Sequence, residues 1–288
     1  MKMNARILGI VLASILASPL QSQAPKAGTG WHGEPLPMGL SRGAKEGEYL
    51  WKKDSSVMVY VPAGAFLRGS ENGDPDEKPV REIYLDGFYI DKYEVSWSQW
   101  KASGLPYRQD SDDPEQIPGP PSWGIVDDQP VVNVTWDDAQ DYVAWAGKRL
   151  PTEAQWEKAA RGSDGREFPW GNQPPSFDRA IWREHPTAEA STASVDCCAA
   201  GASPYGVFNM AGNVYEWCED YYDRGFYERS QERNPANLRK GRYRVLRGGA
   251  HVLEVEDLRA ALRYRLWPDD RTPYIGFRGM VPGVGDDS

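Results

Sequence analysis

Three cysteines and three histidines are all that this 288-residue chain holds of the residues that most often bind transition metals. His32, His185 and His251 form no three-histidine cluster, and Cys197, Cys198 and Cys218 have no zinc-finger spacing. No P-loop pattern is present. Positive charge is also short. Thirty-three Lys and Arg against 42 Asp and Glu give a formal charge of −9, which argues against nucleic acid, whose phosphates need a basic footprint. An odd number of cysteines leaves at least one without a partner inside the chain. A vicinal Cys197–Cys198 disulfide, a Cys198–Cys218 bridge and three thiols packed as small hydrophobes are all compatible with the sequence.

Long apolar runs are missing after the first residues. Lys2 and Arg6 precede an apolar stretch from Ile7 to Ala17, and Ser22-Gln23-Ala24 follows. That order is the pattern of a cleavable export signal over residues 1–24, and the stretch is short of the roughly 20 residues of a membrane span. The expectation is an exported protein, periplasmic or secreted, that does not span a membrane. Removing Lys2 and Arg6 would make the chain more acidic still, a balance compatible with calcium.

Twelve Trp, 15 Tyr, 29 Gly and 23 Pro are abundant for this length. Gly and Pro punctuate the chain too often for long helices or strands, so the aromatics must be buried under loops. Low regular secondary structure around a Trp-rich core is expected, with no internal repeat. Residues 25–55 read as a leader, 56–282 as one domain and 283–288 as a tail.

Within the domain, VMVYVPAGAFLRGS alternates as a strand running into a loop. ENGDPDEKP reads as a solvated acidic loop. REIYLDGFYIDKYEVS has two β-rich runs split at Asp86-Gly87, which predicts a hairpin. Three helices announce themselves by capping boxes: Ser96 with Gln99, Thr135 with Asp138 and Thr152 with Gln155, stopped by Gly104, Gly147 and Gly162. RQDSDDPEQIPGPPSWG between the first two is loop. GNVYEWCEDYYD, by contrast, has neither helical nor strand period and reads as an irregular segment held by something other than a ladder.

Taken in order, VPAGAFLRGS, YEVSWSQW, QPVVNVTWDDAQDYVAWAGKRLPTEAQWEKAARG, FPWGN, YGVFNMAGNVYEWCEDYYD, VLRGGA and IGFRG resemble the formylglycine-generating-enzyme (sulfatase-modifying factor) family over roughly Val57 to Arg278. The resemblance implies a single compact α+β domain, related to C-type lectins and poor in regular secondary structure. It also implies a structural calcium in the NMAGNVYEW segment, held by the Asn209 side-chain oxygen, the Gly212 and Val214 carbonyls and the Glu216 carboxylate. Such mixed oxygen donors suit calcium. A second family calcium site is expected to be lost after Ala180-Ile181-Trp182.

One departure from the family is decisive. Family enzymes that oxidise a sulfatase cysteine to formylglycine hold Cu(I) between two cysteines shortly after an RGGS segment, as soft sulfur favours. Here the stretch is RGGAHVLEVEDLRAALRYR, with no cysteine from 247 to 265 and Ala250 in place of the Ser. Copper–thiolate oxidation is therefore not expected. His251, Glu254, Glu256 and Asp257 occupy that loop and are the candidates for acid–base work or a divalent metal, the bland alternative being a solvated surface loop. Tyr215, Trp217, Arg247 and Arg263 would line a pocket for a peptide or small-molecule ligand. Two functions stand: a copper-independent tailoring enzyme for a peptide or natural product, as in copper-less relatives of siderophore maturation, and a non-catalytic binding module. A formylglycine-generating oxidase is the third.

Overall fold

The computed structural model describes residues 28–107, 121–188 and 191–285. Short elements follow one another. Strands β1 (Leu40–Arg42), β2 (Glu48–Trp51), β3 (Val57–Val61), β4 (Gly64–Arg68), β5 (Arg81–Leu85) and β6 (Phe88–Asp91) precede helices α1 (Trp97–Ser103), α2 (Trp136–Ala146) and α3 (Glu153–Arg161). Then come β7 (Tyr215–Tyr221), the short helix α4 (Phe226–Arg229), β8 (Arg244–Arg247), β9 (Tyr264–Leu266), β10 (Ile275–Gly276) and β11 (Met280–Pro282). The strands form a five-stranded sheet in the order β1-β2-β3-β6-β11, a four-stranded sheet β10-β7-β8-β9 and the ribbon β4-β5. The α+β class and the low share of regular structure agree with the sequence.

The three helices begin where their caps say. Ser96, Thr135 and Thr152 each accept a hydrogen bond from the backbone N–H three residues on, and the side-chain oxygens of Gln99, Asp138 and Gln155 accept one from the cap residue's own N–H. On α3, Trp156, Ala159 and Ala160 turn inward against Val59, Phe66, Ile83 and Val245. On α2, Ala139, Tyr142, Val143 and Ala146 pack with Trp97, Trp100, Trp217 and Phe277.

Four expectations change. The residues read as a leader supply β1 and β2 to the main sheet, with Tyr49 and Trp51 buried. The Asp86-Gly87 turn joins no hairpin: β5 pairs with β4, while β6 crosses to lie between β3 and β11. All four residues of β6 are buried, so its position in the middle of a sheet outweighs the local turn signal. The acidic loop is only partly solvated: Glu71, Asn72 and Asp74 are exposed, but Asp76 and Glu77 are buried and Glu77 Oε2 accepts from Arg259 Nη1 at 2.8 Å. Finally, the stretch lacking strand period is β7, next to the middle of the four-stranded sheet. Its first four residues are buried on both faces and its register slips between Trp217 and Tyr221, which together erase alternation. The export signal and much of the 108–124 loop lie outside the described residues. Among those described, no helix is long and apolar enough to cross a membrane.

Candidate functional site

A cleft of about 630 Å³ opens where the loop after β8 passes over β7. Its apolar floor is Val252, Leu253 and Leu262, and its walls carry Tyr215, Tyr222, Tyr264 and Tyr274. Tyr264 stacks on Tyr215 with ring centroids 5.0 Å apart and planes 8° from parallel. Arg183, Arg224, Arg263 and Arg265 reach the cleft, as do Asp74, Asp76 and Asp257. Arg265 lies over the Tyr222 ring at 4.4 Å. The Tyr222 hydroxyl donates to Asp76 Oδ2 at 2.6 Å, and burial together with that carboxylate pushes the phenol up to about 12.

Buried ion pairs hold the loop in place from below. Arg247 donates to Glu157 at 2.8 Å and to the carbonyls of Ala260 and Ala261 at 2.8 and 3.0 Å, so it fixes the loop backbone rather than facing a ligand. Arg263 meets Glu153 through Nε at 2.6 Å and Nη2 at 2.9 Å. Trp217 is core: its indole N–H donates to the Val134 carbonyl at 3.0 Å. Of the four expected pocket residues, Tyr215 and Arg263 therefore line the cleft, while Trp217 and Arg247 support it.

The expected acid–base group does not assemble. His251 is buried, its Nδ1 lies 2.9 Å from the Asn213 carbonyl and its ring meets Trp123 edge-on at 5.6 Å. Burial lowers its pKa, with the Asn213 contact pulling the other way. Glu254 is exposed and paired with Arg183, Glu256 is exposed, and Asp257 alone of the four lines the cleft. Among the described residues no group of three or more His, Cys, Asp or Glu is arranged to hold a metal. No cysteine lines the cleft.

Residues 209–216 form a second, buried centre. Glu216 receives Arg278 Nε and Nη2 at 2.6 Å each and the Trp156 indole N–H at 2.8 Å. Asn209 and Asn213 donate their side-chain amides to the two oxygens of Glu94 at 3.0 and 2.9 Å. Burial lifts Glu94 to about 7 against the pull of Arg278, and the Glu216 charge adds to the rise. The donor set expected for calcium is all oxygen and sits beside this second buried carboxylate, so its chemistry fits calcium. Arg278 is the internal competitor, since it already neutralises Glu216. Gly212 is required here: its φ is +81°, and a Cβ would lie 2.1 Å from the Ile181 carbonyl oxygen.

Sequence reasoning missed Tyr222, Tyr264, Tyr274 and Arg265 as cleft residues. For Tyr222, Tyr264 and Arg265 the available signal was the density of Tyr and Arg in CEDYYD and RYR; what brings all four together is the pairing of β10, β7, β8 and β9.

A mixed α+β domain with sparse regular structure, a capped RLPTEAQW helix and a cleft over an RGG loop defines a class, and comparison with known proteins gives its name. Residues 47–281 match the family described as "Sulfatase-modifying factor enzyme 1-like domain", and the chain belongs to that family. It is 35% identical to the formylglycine-generating enzyme of Thermomonospora curvata over 283 residues, covering 77% of this chain and 92% of that protein. It is 38% identical to the serine/threonine-protein kinase pkn1 of Chlamydia caviae over 245 residues, 77% of this chain but only 37% of the kinase's length. The solved structure of PvdO from Pseudomonas aeruginosa superposes with a TM-score of 0.72 at 27% identity, covering 83% of this chain and all of that one.

Proposed function

We propose that this chain is a copper-independent member of the sulfatase-modifying factor family, exported through residues 1–24, that binds a peptide or small natural product in the tyrosine–arginine cleft and modifies it. The carrying observation is the cleft itself: it opens on the loop that follows β8, and its apolar lining is Val252, Leu253 and Leu262, with no thiol to hold Cu(I). Stacked Tyr215 and Tyr264 offer a flat apolar wall, and Arg224 and Arg265 offer charge-assisted donors at its mouth. Asp257 is the carboxylate placed for proton transfer, with the hydrogen-bonded Tyr222–Asp76 pair also lining the cleft. Calcium on Asn209, Gly212, Val214 and Glu216 would stiffen the segment that leads into β7; it supplies rigidity and no chemistry.

A second reading, a non-catalytic binding module, is favoured by one observation: His251 points into the protein at Asn213 rather than into the cleft.

The test is calorimetric titration of short aromatic, acidic peptides into wild type, Tyr264→Ala and Arg265→Ala, with mass spectrometry of each peptide afterwards. Binding weakened at least about tenfold in both variants supports the cleft. A peptide mass change that is lost in Asp257→Asn supports tailoring, whereas binding with no mass change supports the module. Binding indifferent to both cleft variants contradicts the assignment.

A further inference from the structure

Cys197 and Cys198 lie away from the cleft and play no part in the function proposed above. Side chains of neighbouring residues in extended chain point apart. Here Cys198 adopts φ +57° and ψ 41°, a left-handed conformation uncommon outside glycine, and the two Sγ atoms come to 3.0 Å. The surroundings hold this geometry. Cys197 N–H donates to the Ser194 carbonyl at 3.0 Å, and Gly201 N–H donates to the Cys198 carbonyl at 2.8 Å. Gly201 in turn packs so close to Arg179 that a Cβ there would lie 1.8 Å from its carbonyl oxygen, so the turn has little room to relax. Both residues are partly exposed, whereas Cys218 is fully buried among Val59, Trp156 and Val245. The Cys197 thiol also contacts Asn209 Oδ1 at 3.4 Å.

We infer that Cys197–Cys198 is a thiol–disulfide exchange site that closes to a vicinal disulfide when it meets a small external disulfide. One cysteine sulfur, as thiolate, attacks a sulfur of the external disulfide; that S–S bond breaks, a mixed disulfide forms and one small thiolate leaves. The neighbouring cysteine then attacks the protein sulfur of the mixed disulfide, forming the Cys197–Cys198 bond and expelling the second small thiolate. The two cysteine protons pass through solvent to the released thiolates. The pair is oxidised by two electrons and the external disulfide is reduced by the same two.

The experiment is intact mass spectrometry and non-reducing peptide mapping of the whole chain after incubation with oxidised glutathione. Free thiols should fall from the three of the reduced chain to one, Cys218, with two hydrogen atoms lost and no glutathione retained. Cys218→Ser should close as wild type does, and Cys198→Ser should keep a glutathione on Cys197. Persistence of both thiols in wild type, a stable glutathione adduct there, or a link to Cys218 would overturn the inference; none of these depends on how a variant folds.

Discussion

Glu216 and Arg278 meet side-on in the interior, Nε on one carboxylate oxygen and Nη2 on the other, each at 2.6 Å, with neither side chain exposed. Arg278 also donates to the Asp91 and Phe208 carbonyls at 3.0 and 2.9 Å. One guanidinium thereby ties the end of the chain to β6 and β7. Replacing Arg278 by Met leaves a buried carboxylate with no counter-charge, at a cost of roughly 3–5 kcal/mol. Urea denaturation of Arg278→Met and of the Glu216→Gln, Arg278→Met double variant measures this. The double variant should recover part of the loss; equal loss in both would show that the carbonyl contacts, not the charge pair, carry the stability.

Calcium should raise the melting temperature of wild type and a chelator should lower it. At a calcium concentration 100 times its dissociation constant the stabilisation is about 2.7 kcal/mol. Glu216→Gln should abolish the response. A chelator-insensitive melting curve in wild type would mean that Arg278 alone satisfies Glu216.

Asp220 gives the fold a pH dependence of definite sign. Burial, and the Glu153 charge after it, lift its pKa to about 7, although its oxygens accept from Asn237 and Glu153 N–H at 2.7 and 2.8 Å. The folded chain therefore keeps a proton that the unfolded chain releases near pH 4. That contribution is complete below about pH 4 and is lost as pH rises toward and through 7, by at most about 1.4 kcal/mol per unit. Asp220→Asn should flatten the fall between about pH 4 and 7 in denaturant titrations, leaving the share of Glu94, which is raised in the same direction. An unchanged slope would show that Asp220 is ionised in the fold.

Gly212→Ala places a methyl 2.1 Å from the Ile181 carbonyl oxygen in a left-handed backbone position and should cost at least about 2 kcal/mol. Thr152→Ala, which removes only the α3 cap, should cost about 1 kcal/mol. If thermal or chemical melts show the two variants equally stable, the close approach at Gly212 is not as tight as the structure gives it.

Much of the architecture is legible in the sequence where the determinants are local. Capping pairs three residues apart place all three long helices, since cap and partner lie within one turn. What failed was set by distant partners. Asp86-Gly87 carries a hairpin signal, but β6 is claimed by β3 and β11, the latter from the far end of the chain. β7 hides its strand character because both its faces are buried. The site followed the same rule. His251 sits in a run of charged residues and reads as exposed, yet Trp123 and Asn213 bury it. Tyr215 was found because it lies in a family motif, and Arg263 because it flanks the loop after the RGG segment; Tyr222 and Tyr264 join them only once β7, β8 and β9 pair.

The central claim is that the cleft works without a copper–thiolate centre. The most direct measurement is the metal content of the chain from residue 25 onward after copper and calcium loading and desalting, made on the Cys197→Ser, Cys198→Ser double variant so that the vicinal thiols cannot take up copper. About one calcium per chain and no copper is the predicted result. Stoichiometric copper in that variant, together with oxidation of a cysteine peptide, would contradict it.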